Sequence, residues 1–383
     1  MIKVIELFAG IGSQREALKR ANIEHEIVAI SENDKYASRA YELLHGSTNN
    51  LGDIRGIERL PKADLWTYSF PCTDISLAGK MKGFDKGSGT HSSLLWEVQR
   101  LLEVANKNDE LPKLLLMENV KNIVSKKFMP LFQVWLDYLD SLGYKNFYKV
   151  LNAKDYGIPQ NRERCFMVSI RDKDAHFEFP KPVKLTKKLA DLLENDVDEK
   201  YFLSEKLITC FTDMSDRHGL IRGLKFRPKY MNETDYAFAI TTHAGYRPTD
   251  NYIIVPQATK AGYALAEVGD GVYTNRCQYK RGVVQRSMIP TIKTSVTDIG
   301  VVANDKDELI SIRRLTPREC WRLMGWYDDE IDKVINEFSN TQLYKMAGNG
   351  IVVNTLYKIF LNYYTSEIAP KFINFLIALG GVS

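Results

Sequence analysis

Short apolar runs alternate with amphipathic stretches through the first half of the chain. Lys3–Phe8, Glu26–Ser31, Leu65–Phe70, Leu114–Met117 and Cys165–Ile170 are brief, apolar and closed by Gly, Pro or polar residues, the pattern of strands. Between them, Gln14–Ala21, Tyr36–His45, Ser93–Ala105 and Leu131–Leu142 read as amphipathic helices. Strands separated by helices predict parallel pairing with helices on both faces. The expected class is α/β, a doubly wound and mostly parallel sheet over roughly the first 175 residues.

The pattern changes after Pro180-Lys181-Pro182. Periodicity weakens, and Gly, Thr, Tyr, Arg and Lys dominate as far as about residue 310, which predicts a second, smaller domain of short strands and long loops. Helical pattern returns at Thr316-Pro317-Arg318-Glu319, where Thr316 suits a cap, Pro317 the first helical position and Glu319 the closing side of a capping box. Gly325 reads as a helix stop, and the loop Ala347-Gly348-Asn349-Gly350 precedes a last helix at about Val352–Tyr364. The expected division is one domain from 1–178 and 340–383, with a second domain and hinge at 179–339.

Composition narrows the class without choosing the function. Of the 383 residues, 44% are hydrophobic and 26% charged, as in ordinary soluble proteins with a full core. A net charge of +4 permits a nucleic-acid partner and does not demand one. The five cysteines (Cys72, Cys165, Cys210, Cys277 and Cys320) are scattered with no CxxC pair, which argues against a disulfide framework and fits a reducing cytoplasm. The six histidines are dispersed, so no metal site is expected. MIKVIELF enters a strand directly with no leader pattern, and Phe372–Val382 is too short to span a bilayer. A soluble cytoplasmic protein is expected.

Ligands of an open parallel sheet bind beyond the carboxyl ends of its strands. Phe8-Ala9-Gly10-Ile11-Gly12, Glu32, Pro71-Cys72 and Glu118-Asn119 all fall at such ends, and together describe one crevice. The glycine turn lets backbone approach a ligand, and Glu32 is suited to ribose hydroxyls; an isolated GxG is otherwise only a tight turn. Arg15 stands where a dinucleotide fingerprint needs its third glycine, so a nucleoside ligand without a pyrophosphate remains. Asp53 suits an adenine amino group, or is simply a surface turn residue.

Cysteine is most often a small buried apolar residue, a reading that fits Cys165, Cys210 and Cys320. At Cys72, Pro71 fixes the strand end and a polar run follows, so the thiol is expected to face the crevice near a helix start that lowers its pKa. Glu118 directly follows four apolar residues; desolvation there favours its protonated, acid form, although a glutamate satisfied by a helix N-terminus reads equally well. Extended backbone over Gln160–Arg164 would set Arg162 and Arg164 side by side, as cations for an anionic group or as a surface ladder with Glu163. Four glycines and three lysines (Lys80, Lys82 and Lys86) between residues 77 and 93 suggest a cationic lid. Arg276–Thr294 holds five basic residues and no acidic one, and Arg217–Lys260 seven against three. Arg222, Arg227, Arg247, Arg281 and Arg286 are candidate DNA contacts, each run being otherwise a solvated face.

In motif order and over almost its whole length, the chain resembles the DNA (cytosine-5) methyltransferases of bacteria and phages. The carrying segments are FAGIG at 8–12, Glu32, Asp53-Ile54, Ser69-Phe70-Pro71-Cys72-Thr73-Asp74-Ile75-Ser76, Glu118-Asn119-Val120, Gln160-Asn161-Arg162-Glu163-Arg164, Arg313–Glu319 with Arg322-Leu323-Met324-Gly325, and Gly348-Asn349. The resemblance implies S-adenosyl-L-methionine as cofactor, S-adenosyl-L-homocysteine as product, no metal, and double-stranded DNA as substrate. It assigns the cofactor to Phe8, Gly10, Ile11, Gly12, Glu32, Asp53, Ile54, Pro71 and Asn349. It assigns catalysis to Cys72 as nucleophile on carbon 6 of a flipped cytosine, Glu118 at N3, Arg164 at O2 and Arg162 in support. Asn33 stands where the family often has a tryptophan, and Gly350 where it has a serine. A monomer with no membrane partner is expected, and any cognate restriction endonuclease leaves no mark in the sequence. Two rivals are a tRNA methyltransferase of the same architecture, against which the long basic segment between Arg164 and Arg313 argues, and a non-catalytic DNA-binding scaffold, against which the intact Cys72, Glu118 and Arg164 argue.

Overall fold

The structure, a computed structural model, describes residues 1–75, 83–202, 253–256, 263–274, 284–294, 299–304 and 310–365. Seven strands occupy the first half: β1 Ile2–Leu7, β2 His25–Ser31, β3 Leu65–Tyr68, β4 Leu114–Val120, β5 Lys145–Asn152, β6 Gln160–Asn161 and β7 Glu163–Ile170. Four helices separate them: α1 Ser13–Arg20, α2 Lys35–His45, α3 Leu95–Lys107 and α4 Met129–Ser141. Six strands form one sheet in the order β2-β1-β3-β4-β7-β5, parallel except for β7, which runs antiparallel to both of its neighbours. The doubly wound, mostly parallel sheet is therefore present. The sequence pattern misses β5, because KNFYKVLN is an edge strand with Tyr148 and Lys149 exposed and has no continuous apolar run.

Alternate residues of each strand feed opposite cores. Val4, Leu65, Leu114, Leu116, Phe166 and Val168 face one side, where Ala17, Leu18, Ala40 and Leu44 of α1 and α2 cover them. Their neighbours Ile5, Trp66, Leu115, Met117 and Met167 face the other, against Leu101, Leu102, Phe132 and Trp135 of α3 and α4. Burial on both faces explains the near-continuous apolar runs.

Beyond the sheet lie β8 Ile253–Pro256, β9 Tyr263–Ala266, β10 Gly271–Tyr273, β11 Ile289–Pro290, β12 Ile299–Asn304 and β13 Ile310–Arg314. β10, β12 and β13 make a three-stranded antiparallel sheet, and β11 pairs in parallel with β6. Helices α5 Pro317–Arg322, α6 Asp328–Ile331 and α7 Asn340–Asn349 follow, and a last helix, α8, covers 353–365. Thr316 and Glu319 close the capping box on α5, and Gly325, at φ 87°, ends the turn behind it. Trp321, Leu323, Met324 and Trp326 join the core on the α1–α2 side of the main sheet.

The stretch Ala347–Asn349 is the last turn of α7 rather than a loop. Glycine at 348 suppresses the helical signal, but a methyl there would stand 2.3 Å from the backbone of Lys293 and Thr294. Two main chains touch at this point, and only glycine lets them.

Candidate active site

Register brings the strand ends to one level. Leu7 pairs with Ser31 of β2 and with Tyr68 of β3, and Tyr68 pairs with Met117 of β4. Phe8, Glu32 and Ser69 therefore leave the sheet together at its carboxyl edge, level with Glu118 near the end of β4.

The glycine turn follows β1 with Phe8 at φ 57°, Gly10 at 57° and Gly12 at 78°. Left-handed backbone at alternate residues costs energy for Phe8 and is nearly free for the glycines. The two glycines differ in surroundings. A methyl on Gly12 would lie 2.5 Å from Nε2 of His45 and 2.7 Å from the Tyr41 ring, whereas one on Gly10 would meet nothing within 4 Å. Gly12 is thus needed for packing, and Gly10 borders open space. The Gly10 amide donates to Glu32 Oε2 at 2.8 Å and the Asp34 amide to Oε1 at 2.7 Å, while burial raises the Glu32 pKa. Ile11 and Ile54 are core side chains, so only their backbone borders the crevice. Asp53 caps the 3-10 turn Ile54–Gly56 and pairs with Arg55, whose hydrogen bonds hold its carboxyl down to about 2. Asn349 ends α7, which is tied toward the same edge by Lys345 Nζ at 2.6 Å from Oδ2 of Asp34.

Glu6 lies beneath the turn. It is fully buried, accepts from the Arg15 amide at 2.8 Å and the Tyr41 hydroxyl at 2.5 Å, and burial lifts its pKa to about 7. Gly12, the N-cap of α1, has no side chain to cap with, and Glu6 serves the first turn instead. A glutamate inside the apolar run VIEL was the available sequence signal.

The turn after β3 is tied on several sides. Ser92 Oγ donates to the Pro71 carbonyl at 2.7 Å and receives the Asp74 amide at 3.2 Å, and the Ser92 amide donates back to Asp74 Oδ2 at 3.3 Å. Asn119 Nδ2 donates to the Phe70 carbonyl at 3.0 Å, and Asn122 Nδ2 to that of Ile75 at 2.6 Å. The Cys72 side chain is half-buried, unlike Cys165 and Cys320, which are fully buried. Residues 73–75 form a turn. Burial accordingly pushes the Cys72 pKa up, opposed by Arg164 and Arg162 and reinforced by Glu118. The expected lowering by a helix start is not found.

Glu118 is 9% exposed and its pKa is raised by burial, against the lowering effects of Arg164, Arg162 and a Ser69 hydrogen bond. Arg164 Nε stands 3.2 Å from Glu118 Oε1. Glu163 points elsewhere, to Lys121 at 3.0 Å, so no ladder forms along this strand. Cys72, Glu118, Arg162 and Arg164 thus lie close enough to influence one another electrostatically. Arg162, 3% exposed, spends its guanidinium on the carbonyls of Ile292, Gly348 and Gly350 at 2.8, 3.0 and 2.8 Å.

Among candidate DNA contacts, Lys80, Lys82, Arg222, Arg227, Arg247 and Arg281 lie outside the described residues. Lys86 sits over the Trp96 ring, 6.0 Å from its centroid. Arg286 is engaged internally, 2.8 Å from Asp270 and 3.1 Å from Glu267. Among the described residues no cluster of His, Cys, Asp and Glu suits a metal ion, and no helix is long and apolar enough to cross a membrane.

The model of the C-5 cytosine-specific DNA methylase family matches residues 2–364. The type II methyltransferase M2.ScrFI of Lactococcus lactis subsp. cremoris is 33% identical over 96% of this chain and 100% of its own length. M.HhaI, a type II methyltransferase of Haemophilus parahaemolyticus, is 31% identical over 95% of each chain. Among solved structures, S. pombe Dnmt2 methyltransferase superposes with a TM-score of 0.60 at 18% identity, over 94% of this chain and 97% of that one, a likeness of fold.

Proposed function

The chain belongs to the C-5 cytosine-specific DNA methylase family, and from that premise we propose that it methylates carbon 5 of a cytosine flipped out of duplex DNA, through a covalent bond from Cys72 to carbon 6. The observation that carries this reading is the gathering of a half-buried thiol, a buried carboxyl and an arginine 3.2 Å from that carboxyl, beside the glycine turn. Residues 179–339 would supply target recognition, with residues 1–178 and 340–383 holding the cofactor and the chemistry.

The cradle fits S-adenosyl-L-methionine. Gly10 opens onto free space, and the carboxylate of Glu32 is suited to a ribose diol. Backbone at Phe8, Gly10, Ile11, Gly12, Ile54 and Pro71 would line the nucleoside, Asp53 would take the adenine amino group, and Asn349 would close the site. When bound, the cofactor supplies an electrophilic methyl group.

Carbon 5 of cytosine is a weak nucleophile, and the protein's task is to enrich it. The Cys72 thiolate adds to carbon 6 while Glu118 gives its proton to N3, which places an enamine electron pair on carbon 5. After methylation, carbon 5 loses its proton to solvent water, the bond from carbon 6 to sulfur breaks to release the Cys72 thiolate, and N3 returns its proton to Glu118. Glu118 must hold a proton near neutrality to begin, and its burial favours that form. Arg164, beside that carboxyl, is placed to hold cytosine O2. Stacked cytosine offers no face to a thiol, so the base must leave the helix, at a cost of a few kcal/mol.

Bisulfite sequencing of DNA from cells expressing the chain tests the reaction, and duplex DNA containing 5-fluorocytosine tests the covalent step. Protected cytosines and a trapped adduct, both absent for Cys72→Ala, are expected. Methylation by Cys72→Ala at the native rate, or transfer to tRNA and not to duplex DNA, would overturn the reading.

A further inference from the structure

The run Val4-Ile5-Glu6-Leu7 sets a carboxyl in the middle of a parallel sheet. Glu6 is fully buried, in register with Ile30 of β2 and Thr67 of β3, neither of which carries a charge. Neutral donors hold it, the Arg15 amide from α1 at 2.8 Å and the Tyr41 hydroxyl from α2 at 2.5 Å. The Arg15 guanidinium turns to Thr48 Oγ1 at 3.0 Å, and Glu16 on the same helix is engaged by Arg20 and Lys19. His45 on α2 bonds the Ile11 carbonyl through Nε2, and burial keeps its ring neutral, with a pKa of about 4. Beside the carboxyl, the Thr67 hydroxyl is buried without a partner.

Packing alone accounts poorly for an acid here. A glutamine oxygen would accept from the same amide and hydroxyl without the cost of burying a charge. The place of the residue suggests what the charge is for. Glu6 is the last residue but one of β1, about 7 Å below the glycine turn by strand rise. The reaction above carries a methyl group from the turn after β1 to a base held at the turn after β3, and these two strands are neighbours. A sulfonium would therefore lie over the gap that Glu6 underlies. Leu7 and Tyr68, the last residues of the two strands, are fully buried, so the field of the carboxylate crosses protein rather than water. Asp34, Asp53 and Glu118 at the same edge each have a cation at 3.2 Å or less, which offsets their charge.

We propose that Glu6 is a specificity-determining residue for the charge of the cofactor: its buried carboxylate favours the sulfonium of S-adenosyl-L-methionine over the neutral thioether of S-adenosyl-L-homocysteine, so that methyl transfer itself loosens the hold on the spent cofactor. This rests on the cofactor assignment above and adds how substrate is told from product. A role in packing would affect both ligands alike, whereas a role through charge changes their ratio.

The test measures dissociation constants of the two ligands by calorimetry on the full chain, without DNA, from about pH 6 to about pH 8. Burial pushes the Glu6 pKa up to about 7, so the residue passes from acid to carboxylate over this range. The preference of wild type for the sulfonium, relative to that of Glu6→Gln at the same pH, is expected to rise about fivefold across it. Titration of the ligands' own amino groups enters both proteins equally and cancels in that comparison. Because a cation favours the ionised carboxyl, the sulfonium should also release more protons than the thioether on binding wild type near neutrality, read from the dependence of the heat on the buffer. Tyr41→Phe keeps a ring against Gly12 and removes one bond to the carboxylate; it should move the rise to higher pH, and it reads the same group if Glu6→Gln does not fold. A ratio that follows pH identically in wild type and Glu6→Gln, or in wild type and Tyr41→Phe, would overturn the proposal and leave Glu6 a packing residue. Binding of neither ligand by wild type would instead overturn the cofactor assignment on which it rests.

Discussion

Gly10 and Gly12 sit two residues apart in one turn, both with positive φ, and adding a methyl to each should break different things. At Gly12 the new carbon would stand 2.5 Å from His45 Nε2 and 2.7 Å from Tyr41, both held on α2 in the interior. Left-handed backbone costs an alanine about 1–2 kcal/mol, and overpacking adds about 1–3 kcal/mol. Displacing His45 also loses its bond to the Ile11 carbonyl, worth about 1 kcal/mol. Gly12→Ala should therefore lose about 3–6 kcal/mol in urea unfolding, much of it regained when His45→Ala makes room. Gly10→Ala meets no protein atom and should lose only the backbone share, about 1–2 kcal/mol. Its methyl would project into the space assigned to the cofactor, and S-adenosyl-L-homocysteine affinity measured by calorimetry should fall at least tenfold, about 1.4 kcal/mol. Native affinity in a folded Gly10→Ala protein would refute the placement of the cofactor. Equal stability losses for the two variants would refute the packing argument.

Ser92→Ala removes the clasp on the Cys72 turn; 5-fluorocytosine trapping should slow about tenfold at unchanged cofactor affinity, on the scale of 1.4 kcal/mol per tenfold. Arg164→Met leaves Glu118 buried without its cation, so its pKa rises further and turnover, followed with tritiated cofactor, should fall on the order of 10²-fold. Burial lowers the His45 pKa to about 4, so the folded state excludes a proton that the unfolded chain binds. His45 therefore contributes stability that is fully present above about pH 6.5 and is lost, by about 3 kcal/mol, as pH falls to about 4. Glu6, raised from 4.5 to about 7, acts with opposite sign: its contribution is full below 4.5 and lost as pH rises to 7. The two offset each other between about pH 4.5 and 6.5, so His45→Gln should expose the Glu6 term as stability that rises on acidification, read from urea midpoints at a series of pH values.

The parallel core was legible because its strands are buried on both faces, and their runs of Val, Ile, Leu and Met need no long-range knowledge to be recognised. Edge strand β5 was not, since two of its positions are exposed and only Leu151 is fully buried. Helix α7 was hidden for a related reason. Its glycine is required by a neighbour more than fifty residues away, and local propensity reads that glycine as a break.

The site divides along the same line. Cys72, Glu118, Gly10 and Glu32 announce themselves because each lies within four residues of the carboxyl end of a strand, and strand ends are a local signal. What tunes them is not local. The thiol is shifted by residues 46, 90 and 92 positions later, and its turn is clasped by Ser92 and Asn119 from two other elements. A motif therefore names the nucleophile and leaves its protonation unspecified. The expected helix field was replaced by desolvation, which acts in the opposite direction. One consequence can be measured. With the thiol held protonated in the free enzyme, alkylation of Cys72 should accelerate with pH beyond the midpoint of an ordinary cysteine, and Arg164→Met should move that midpoint higher still. A midpoint below the ordinary value would mean that the two arginines outweigh burial, and that the free enzyme already carries its thiolate.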